Sequence, residues 1–189
     1  MKKKRRITFN SPVVLSFVFI SFAVMVVNYL TVGMSNKLLF MTYHSSLASP
    51  LTYVRFFTHV LGHSGWAHYI GNMMYLLLLG PMLEEKYGSR AIVEIILVTG
   101  LVTGLVTWFL FPGIALCGAS GVVFAFIMMT SFTSFKEGEI PLTVILVAIV
   151  FIGQQIYEGI FVQDDISNMA HILGGIVGAV AGYTLNKNR

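Results

Sequence analysis

Charged residues are scarce in this chain of 189 residues: Asp, Glu, Lys and Arg make up 11% of it, against 56% hydrophobic residues. A water-soluble domain of this size needs a much larger charged surface, so the composition excludes an ordinary soluble protein. The apolar residues form runs close to the roughly 20 residues that a helix needs to cross a bilayer. The composition therefore predicts a single membrane domain.

Cysteine is nearly absent, because Cys117 is the only one, and this excludes an internal disulfide. The basic block Lys2–Arg6 has no folded basic face around it, so we interpret it as an orientation signal and expect no nucleic-acid partner. The apolar stretch Val13–Val32 is long for a signal peptide, and no small-residue cleavage site follows it. We therefore predict that this stretch is retained as the first membrane span.

Six apolar segments predict an all-α fold, a polytopic bundle of six transmembrane helices, because long apolar runs in a short chain cannot close a barrel of alternating strands. The segments are Pro12–Val32, Trp66–Leu83, Ala91–Phe111, Gly118–Phe135, Ile140–Tyr157 and Asn168–Leu185. We expect residues 1–189 to form one domain, with a basic cytoplasmic N-terminus (1–11), a six-helix core (12–185) and a cytoplasmic tail (186–189).

The flanking charges predict that both termini are cytoplasmic. Glu84–Arg90 reads as a short charged cytoplasmic turn, and Glu158–Ser167 reads as an outer loop that caps the bundle. The loop Gly33–Gly65 is too long for a plain connector and rich in aromatic residues, so we expect it to pack on the bundle near the outer leaflet. In this topology segments two, four and six all run from the outside to the inside.

Polar side chains lie near the outer ends of those three segments. His68 and Asn72 occupy the first two turns of segment two, Ser120 the first turn of segment four, and His171 the first turn of segment six. At about 1.5 Å rise per residue, all four lie at one depth below the outer surface, where water could reach them. Polar groups in lipid-embedded helices are costly, so we interpret this layer as a functional site.

The residue types predict acyl transfer. Ser120 needs a base to become a nucleophile, and His171 is the candidate. The outer halves of segments two, four and six contain no Asp or Glu to orient the imidazole, so a Ser–His dyad is favoured over a triad. His68 and Asn72, spaced i, i+4, point from one face and can donate to an oxyanion, together with the backbone N–H of Ser120.

Some residues admit a simpler reading. His59, His63 and His68 are candidate metal ligands, but the sequence has no His-Glu-x-x-His motif and no nearby carboxylate. Phe124 either fills the core or places its ring against His171. The glycines of segment six, at every fourth position, predict close approach of the helices that carry Ser120 and His171; they are Gly174, Gly178 and Gly182.

Taken together, the pattern resembles the rhomboid family of intramembrane serine proteases. Three motifs occur in the family's order: His63-x4-His68-x3-Asn72, Gly118-Ala119-Ser120-Gly121-Val122-Val123-Phe124, and Ala170-His171-x2-Gly174-x3-Gly178. The stretch Glu85–Ser89 resembles the family's second cytoplasmic turn, whose glutamate is structural. Val54 stands where the family often has Trp, and Phe124 where it often has Tyr, so a ring but no hydroxyl is available to His171.

The resemblance implies Ser120 as nucleophile and His171 as general base, with His68 and Asn72 stabilising the oxyanion and no metal or cofactor. Further support for the site is expected from His63, Gly118, Phe124 and Gly174. Substrates would be single-span transmembrane proteins, reached laterally through membrane lipid and cut near the outer face. The expected location is a bacterial plasma membrane, in the minimal six-helix form of the family; the sequence predicts no oligomeric state.

Two other functions compete with this reading. A non-proteolytic relative of the same fold would bind membrane client proteins, although such relatives usually lack the dyad. A small transporter would favour paired intramembrane charges or inverted repeats. Glu94, near the cytoplasmic end of the third segment, is the main acidic residue within a segment, and the sequence shows no internal repeat.

Overall fold

The computed structural model describes residues 8–133, 139–161 and 165–187, and helices dominate these ranges. The basic block Lys2–Arg6 lies outside the described residues, as do the charged residues Lys136 and Glu137. The elements in chain order are α1 (Pro12–Leu30), α2 (Met34–Leu39), β1 (Thr42–Tyr43), α3 (Pro50–Thr58), α4 (Trp66–Tyr87), α5 (Ser89–Leu110), β2 (Ala115–Leu116), α6 (Ser120–Ser131), α7 (Leu142–Phe161) and α8 (Asp165–Lys187).

The six predicted segments correspond to α1, α4, α5, α6, α7 and α8, so the all-α membrane bundle is confirmed. By length and composition, α1, α5 and the Asn168–Lys187 part of α8 qualify as membrane spans, while α6 and the Leu142–Gln154 part of α7 are shorter apolar helices. Large apolar side chains cover the outside of the bundle, among them Leu78 (70% exposed) and Ile149 (62% exposed). An apolar exterior of this kind is suited to lipid.

Two predicted segment ends are wrong, those of segments two and four. The charged turn Glu84–Arg90 is almost entirely helical, because α4 continues to Tyr87 and α5 begins at Ser89. Gly88 alone joins them, with a φ of 89° that an L side chain rarely adopts. Helix α6 ends at Ser131, short of the predicted segment end.

The predicted cap loop Glu158–Ser167 is also largely helical. Helix α7 runs to Phe161 and α8 starts at Asp165, which leaves residues 162–164 between them, outside the described residues. His171 consequently lies in the second turn of α8 and not in the first turn of its helix.

A buried glutamate ties the helices together at the end of the bundle opposite Ser120. Glu84 is only 4% exposed, and its carboxylate accepts hydrogen bonds from the Ser11 hydroxyl (3.0 Å), the Val13 and Val14 N–H groups (3.0 and 3.1 Å) and the Ser89 hydroxyl (2.7 Å). Two of these donors are backbone N–H groups in the first turn of α1, which have no acceptor within the helix. A negative charge is favourable at this helix N-terminus. The expectation that Glu85 is the structural glutamate is wrong, because Glu85 is exposed and Glu84 points inward.

Glycines let α6 and α8 pack with their backbones in contact, as their spacing predicts. A Cβ at Gly174 would lie 2.0 Å from the carbonyl oxygen of Gly121, and a Cβ at Gly178 would lie 2.2 Å from that of Ala125. No larger residue fits at either position without separating the helices. This contact fixes the start of α6 against the α8 turn that follows His171.

The first loop folds onto the bundle. Its helix α3 packs on α5 at Gly104, where a Cβ would lie 2.9 Å from the carbonyl oxygen of Phe56. Strand β1 pairs antiparallel with β2, with Thr42 opposite Leu116 and Tyr43 opposite Ala115. The loop thereby braces the segment that leads into Ser120.

Candidate functional site

Ser120 is the first residue of α6, and the chain reaches it through a fixed turn. The N–H of Gly118 donates to the carbonyl oxygen of His59 over 3.0 Å, which holds the turn after β2 against the first loop. Gly118 has a φ of 135°, a conformation that favours glycine. The backbone N–H of Ser120 lies at a helix N-terminus, where it has no intrahelical acceptor.

The ring of His68 lies directly against this turn. A Cβ at Gly118 would come within 2.6 Å of His68 Cε1 and 2.8 Å of His68 Nε2. A glycine is therefore required at position 118 for two reasons, the backbone conformation of the turn and the space that the imidazole occupies. The structure thus places the ring of His68, from α4, against Gly118, which precedes Ser120 by two residues in the chain.

His171 lies beside the first turn of α6. Its ring centroid is 4.3 Å from that of Phe124, with the ring planes 39° apart. Phe124 follows Ser120 by four residues, so their side chains share one face of α6. Of the two readings of Phe124, the ring contact with His171 is the one that the structure supports. The ring of His171 thus lies on the face of α6 that also carries Ser120, one helical turn further along the helix.

Asn72 provides an open amide donor one turn after His68 on α4. Its side chain is buried, at 7% exposure, and its Nδ2 has no hydrogen-bond partner within the described part of the chain. A buried N–H without an acceptor is costly, so a polar partner such as water or a ligand atom is expected beside it. An oxyanion that forms only during a reaction would supply the acceptor.

His63 is fully buried behind His68. Its Nδ1–H donates to the carbonyl oxygen of Leu61 over 3.2 Å, and its ring meets those of His68 and Tyr69 edge-on, at centroid distances of 5.1 and 5.5 Å. Burial, together with the proximity of His68, lowers the pKa of His63 to about 4, so this imidazole is neutral near pH 7. The ring of His63 thus packs edge-on against the ring of His68.

His59 serves the scaffold. Its Nδ1 lies 3.0 Å from the carbonyl oxygen of Arg55 and its Nε2 lies 3.1 Å from the hydroxyl of Thr103. Burial lowers the pKa of His59 to about 4. Across residues 8–133, 139–161 and 165–187, His, Cys, Asp and Glu side chains form no group of three that could hold a metal ion.

Cys117, three residues before Ser120, is not suited to nucleophilic attack. Burial raises the pKa of its thiol to about 11, so the thiolate is essentially absent near neutral pH.

The sequence reasoning missed two groups of polar residues near the site. Ser64 lies 3.1 Å from the Nδ1 of His68, in the loop before α4. Three buried threonines line one face of α5 at spacing i, i+4, i+8, namely Thr99, Thr103 and Thr107. The helical spacing of the threonines could have been recognised in the sequence. The contact of Ser64 with His68 depends on how the loop folds and could not.

Helix α7 covers the remaining side of the site. Phe151 places its ring 4.7 Å from that of Phe124 and fills the space beside Gly175. A cavity of about 320 Å³ lies here, lined by residues that include Phe124, Val147 and Gln154. A second cavity, of about 460 Å³, shares Val147 and continues toward Tyr75 on α4.

Comparison with known proteins assigns the chain to a family. The Rhomboid domain model matches residues 50–188. The chain is 33% identical over 162 residues to Rhomboid-related protein 2 of Mus musculus, which covers 74% of this chain and 53% of that protein. It is 28% identical over 138 residues to Rhomboid protease GlpG of Haemophilus influenzae (strain ATCC 51907 / DSM 11121 / KW20 / Rd), covering 71% of each chain.

Other relatives are longer than the matched region. The chain is 30% identical over 139 residues to Rhomboid protease GlpG of Salmonella choleraesuis (strain SC-B67), and it spans 50% of that protein's length. The chain thus spans about half the length of the mouse and Salmonella relatives. With a domain match that covers most of its residues and a helical bundle of the corresponding class, this integral membrane protein belongs to the rhomboid family.

Proposed function

We propose that this chain is an intramembrane serine endopeptidase that cuts transmembrane proteins near the outer face of the membrane. The observation that carries the proposal is the contact between His171 and Phe124, one turn after Ser120 on the same face of α6. Relatives that carry the name Rhomboid protease GlpG add support.

In the proposed reaction, His171 takes the hydroxyl proton of Ser120 while the Ser120 oxygen attacks the scissile carbonyl carbon. The tetrahedral intermediate then collapses: the C–N bond breaks, and His171 returns the proton to the leaving amine. Water then gives a proton to His171 as its oxygen attacks the ester carbon, the bond from that carbon to Ser120 Oγ breaks, and His171 returns the proton to Oγ. This sequence requires no metal and no cofactor.

The negative charge on the intermediate needs preorganised donors. Asn72 Nδ2, buried and without a partner, is well suited to this role, and His68 Nε2 lies beside Gly118 on the approach to Ser120. The backbone N–H of Ser120 is a third donor at the positive end of α6. Removal of one such donor typically costs about 3 kcal/mol of transition-state stabilisation.

Substrates of this enzyme are single-span transmembrane proteins that diffuse in the lipid. They approach past α7, where a cavity lined by Val150, Phe151 and Gln154 reaches Phe124. A substrate helix must unwind locally because helical carbonyls are hidden, so helix-destabilising residues near the cut are favoured. The proposed setting is a bacterial plasma membrane with both termini in the cytoplasm.

A cleavage assay tests the proposal. Purified wild type, incubated in liposomes with a reporter protein that has one transmembrane segment, should release two fragments. Ser120→Ala and His171→Ala should release none while keeping the melting temperature of the wild type. Equal product from wild type and Ser120→Ala would refute the proposal and leave client binding as the function of this fold.

A further inference from the structure

Ser64 contacts the ring of the proposed oxyanion donor His68. Its Oγ lies 3.1 Å from His68 Nδ1, one helical turn away in sequence. Helix α4 begins only after Ser64, with Gly65 as its N-cap residue, so the hydroxyl reaches forward from the loop to the first turn of the helix. One nitrogen of the His68 ring is therefore occupied by a hydroxyl from outside α4.

The loop that carries Ser64 is held from two sides. Gly62 packs so tightly on Phe40 that a Cβ there would lie 2.1 Å from the Phe40 carbonyl oxygen. The side chain of Asn36, on α2, donates from Nδ2 to the carbonyl oxygen of His63 over 2.9 Å. These contacts fix both residues before Ser64, which keeps its hydroxyl in reach of the imidazole.

The Cε1–Nε2 edge of the same ring lies against the turn before Ser120. His68 Nε2 would be 2.8 Å from a Cβ at Gly118, two residues before Ser120. A neutral imidazole carries a proton on only one nitrogen, and the partner of one nitrogen decides what the other presents. If Nδ1 accepts a hydrogen bond from the serine hydroxyl, Nε2 carries the proton and can donate.

We propose that Ser64 is a positioning residue that sets the tautomer of His68, so that Nε2–H faces the oxyanion formed at Ser120. The proposal rests on the proposed function. Ser64 donates its O–H to Nδ1, which leaves the site-facing nitrogen protonated. In the opposite tautomer Nε2 would present a lone pair to the oxyanion and repel it.

Kinetics with Ser64→Ala test this role. Loss of one neutral hydrogen bond of about 1 kcal/mol predicts a kcat about fivefold lower, with KM unchanged because the hydroxyl does not touch substrate. Ser64→Thr, which keeps the hydroxyl, should restore kcat. The matched control is Ser46→Ala, which removes another exposed hydroxyl of the first loop, one that accepts a hydrogen bond from the N–H of Ala48, and should leave kcat unchanged.

A double-mutant cycle separates positioning from a general structural effect. In the His68→Ala background, Ser64→Ala should cause no further loss of kcat, since the ring on which it acts is gone. An equal fold loss in both backgrounds, or a wild-type kcat for Ser64→Ala, would overturn the proposal.

Nitrogen-15 NMR of labelled His68 gives a readout that does not depend on catalysis. Wild type should show a protonated Nε2 and an unprotonated Nδ1, and Ser64→Ala should shift both resonances toward a tautomer mixture. A protonated Nδ1 in the wild type would contradict the proposal. Failure of Ser120→Ala to abolish cleavage would instead remove the proposed function, while the NMR result would still decide which tautomer Ser64 favours.

Discussion

Gly118→Ala should inactivate the protein through a displacement of His68. The added Cβ would lie 2.6 Å from His68 Cε1 and 2.8 Å from His68 Nε2, whereas nonbonded carbon atoms are favourable at about 3.5 Å or more. The imidazole must therefore retreat by about 1 Å, and a misplacement of that size costs about 100-fold in rate.

The same substitution also strains the backbone. Gly118 has a φ of 135°, and a non-glycine residue held in such a conformation costs about 1–3 kcal/mol. That cost lowers the melting temperature without unfolding a bundle whose helices pack elsewhere. We therefore expect kcat to fall about 100-fold in a protein that remains folded.

The assay is steady-state cleavage of the reporter substrate, with circular dichroism melting of the same samples. Gly113→Ala is the matched control, because its new Cβ would have no atom within 4 Å, and it should behave as wild type. In the His68→Ala background, the effect of Gly118→Ala on kcat should shrink to the part due to backbone strain. A Gly118→Ala variant with wild-type kcat would refute the assignment of His68 to the site.

The remaining predictions concern stability. Glu84→Gln should destabilise the bundle by about 2 kcal/mol or more, because charge-assisted hydrogen bonds are lost and the new amide N–H group faces other donors. Glu85→Gln, at the neighbouring exposed position, is the control and should have no effect on thermal melting. Burial lowers the pKa values of His59 and His63 to about 4, so both histidines bind protons more readily in the unfolded state. The free energy of unfolding should therefore be highest above pH 6.5 and fall by up to about 3 kcal/mol per histidine between pH 6.5 and pH 4. A melting temperature that stays constant over this range would contradict the burial argument. Val32 has a φ of 50° at 91% exposure, so Val32→Asn should stabilise the protein by about 1 kcal/mol, and an unchanged or lower melting temperature would show that the strain is absent.

Much of the architecture was readable because lipid imposes simple rules on sequence. Apolar runs had to become helices, and the glycine repeat of α8 had to face a close neighbour, which proved to be α6 at Gly121 and Ala125. Helix direction alone predicted that His68 and Ser120 lie at a similar depth, and the contact of His68 with the turn before Ser120 agrees with that expectation. These features depend on periodicity and length, which a single sequence contains.

Other features depend on rotation and loop geometry, which the sequence does not contain. Glu84 and Glu85 are adjacent and chemically alike, and only the rotation of α4 decides which one meets the start of α1. The first loop contains two short helices that its irregular sequence pattern does not indicate. The contact of Ser64 with His68 depends on how this loop folds, so the sequence did not predict it.

Labelling with a serine-directed fluorophosphonate tests the proposed pairing of Ser120 and His171 most directly. Intact-mass and peptide mass spectrometry of the wild type should show one adduct, located on Ser120, which His171→Ala abolishes while the protein stays folded. An adduct on another residue, or undiminished labelling of Ser120 in folded His171→Ala, would contradict the account.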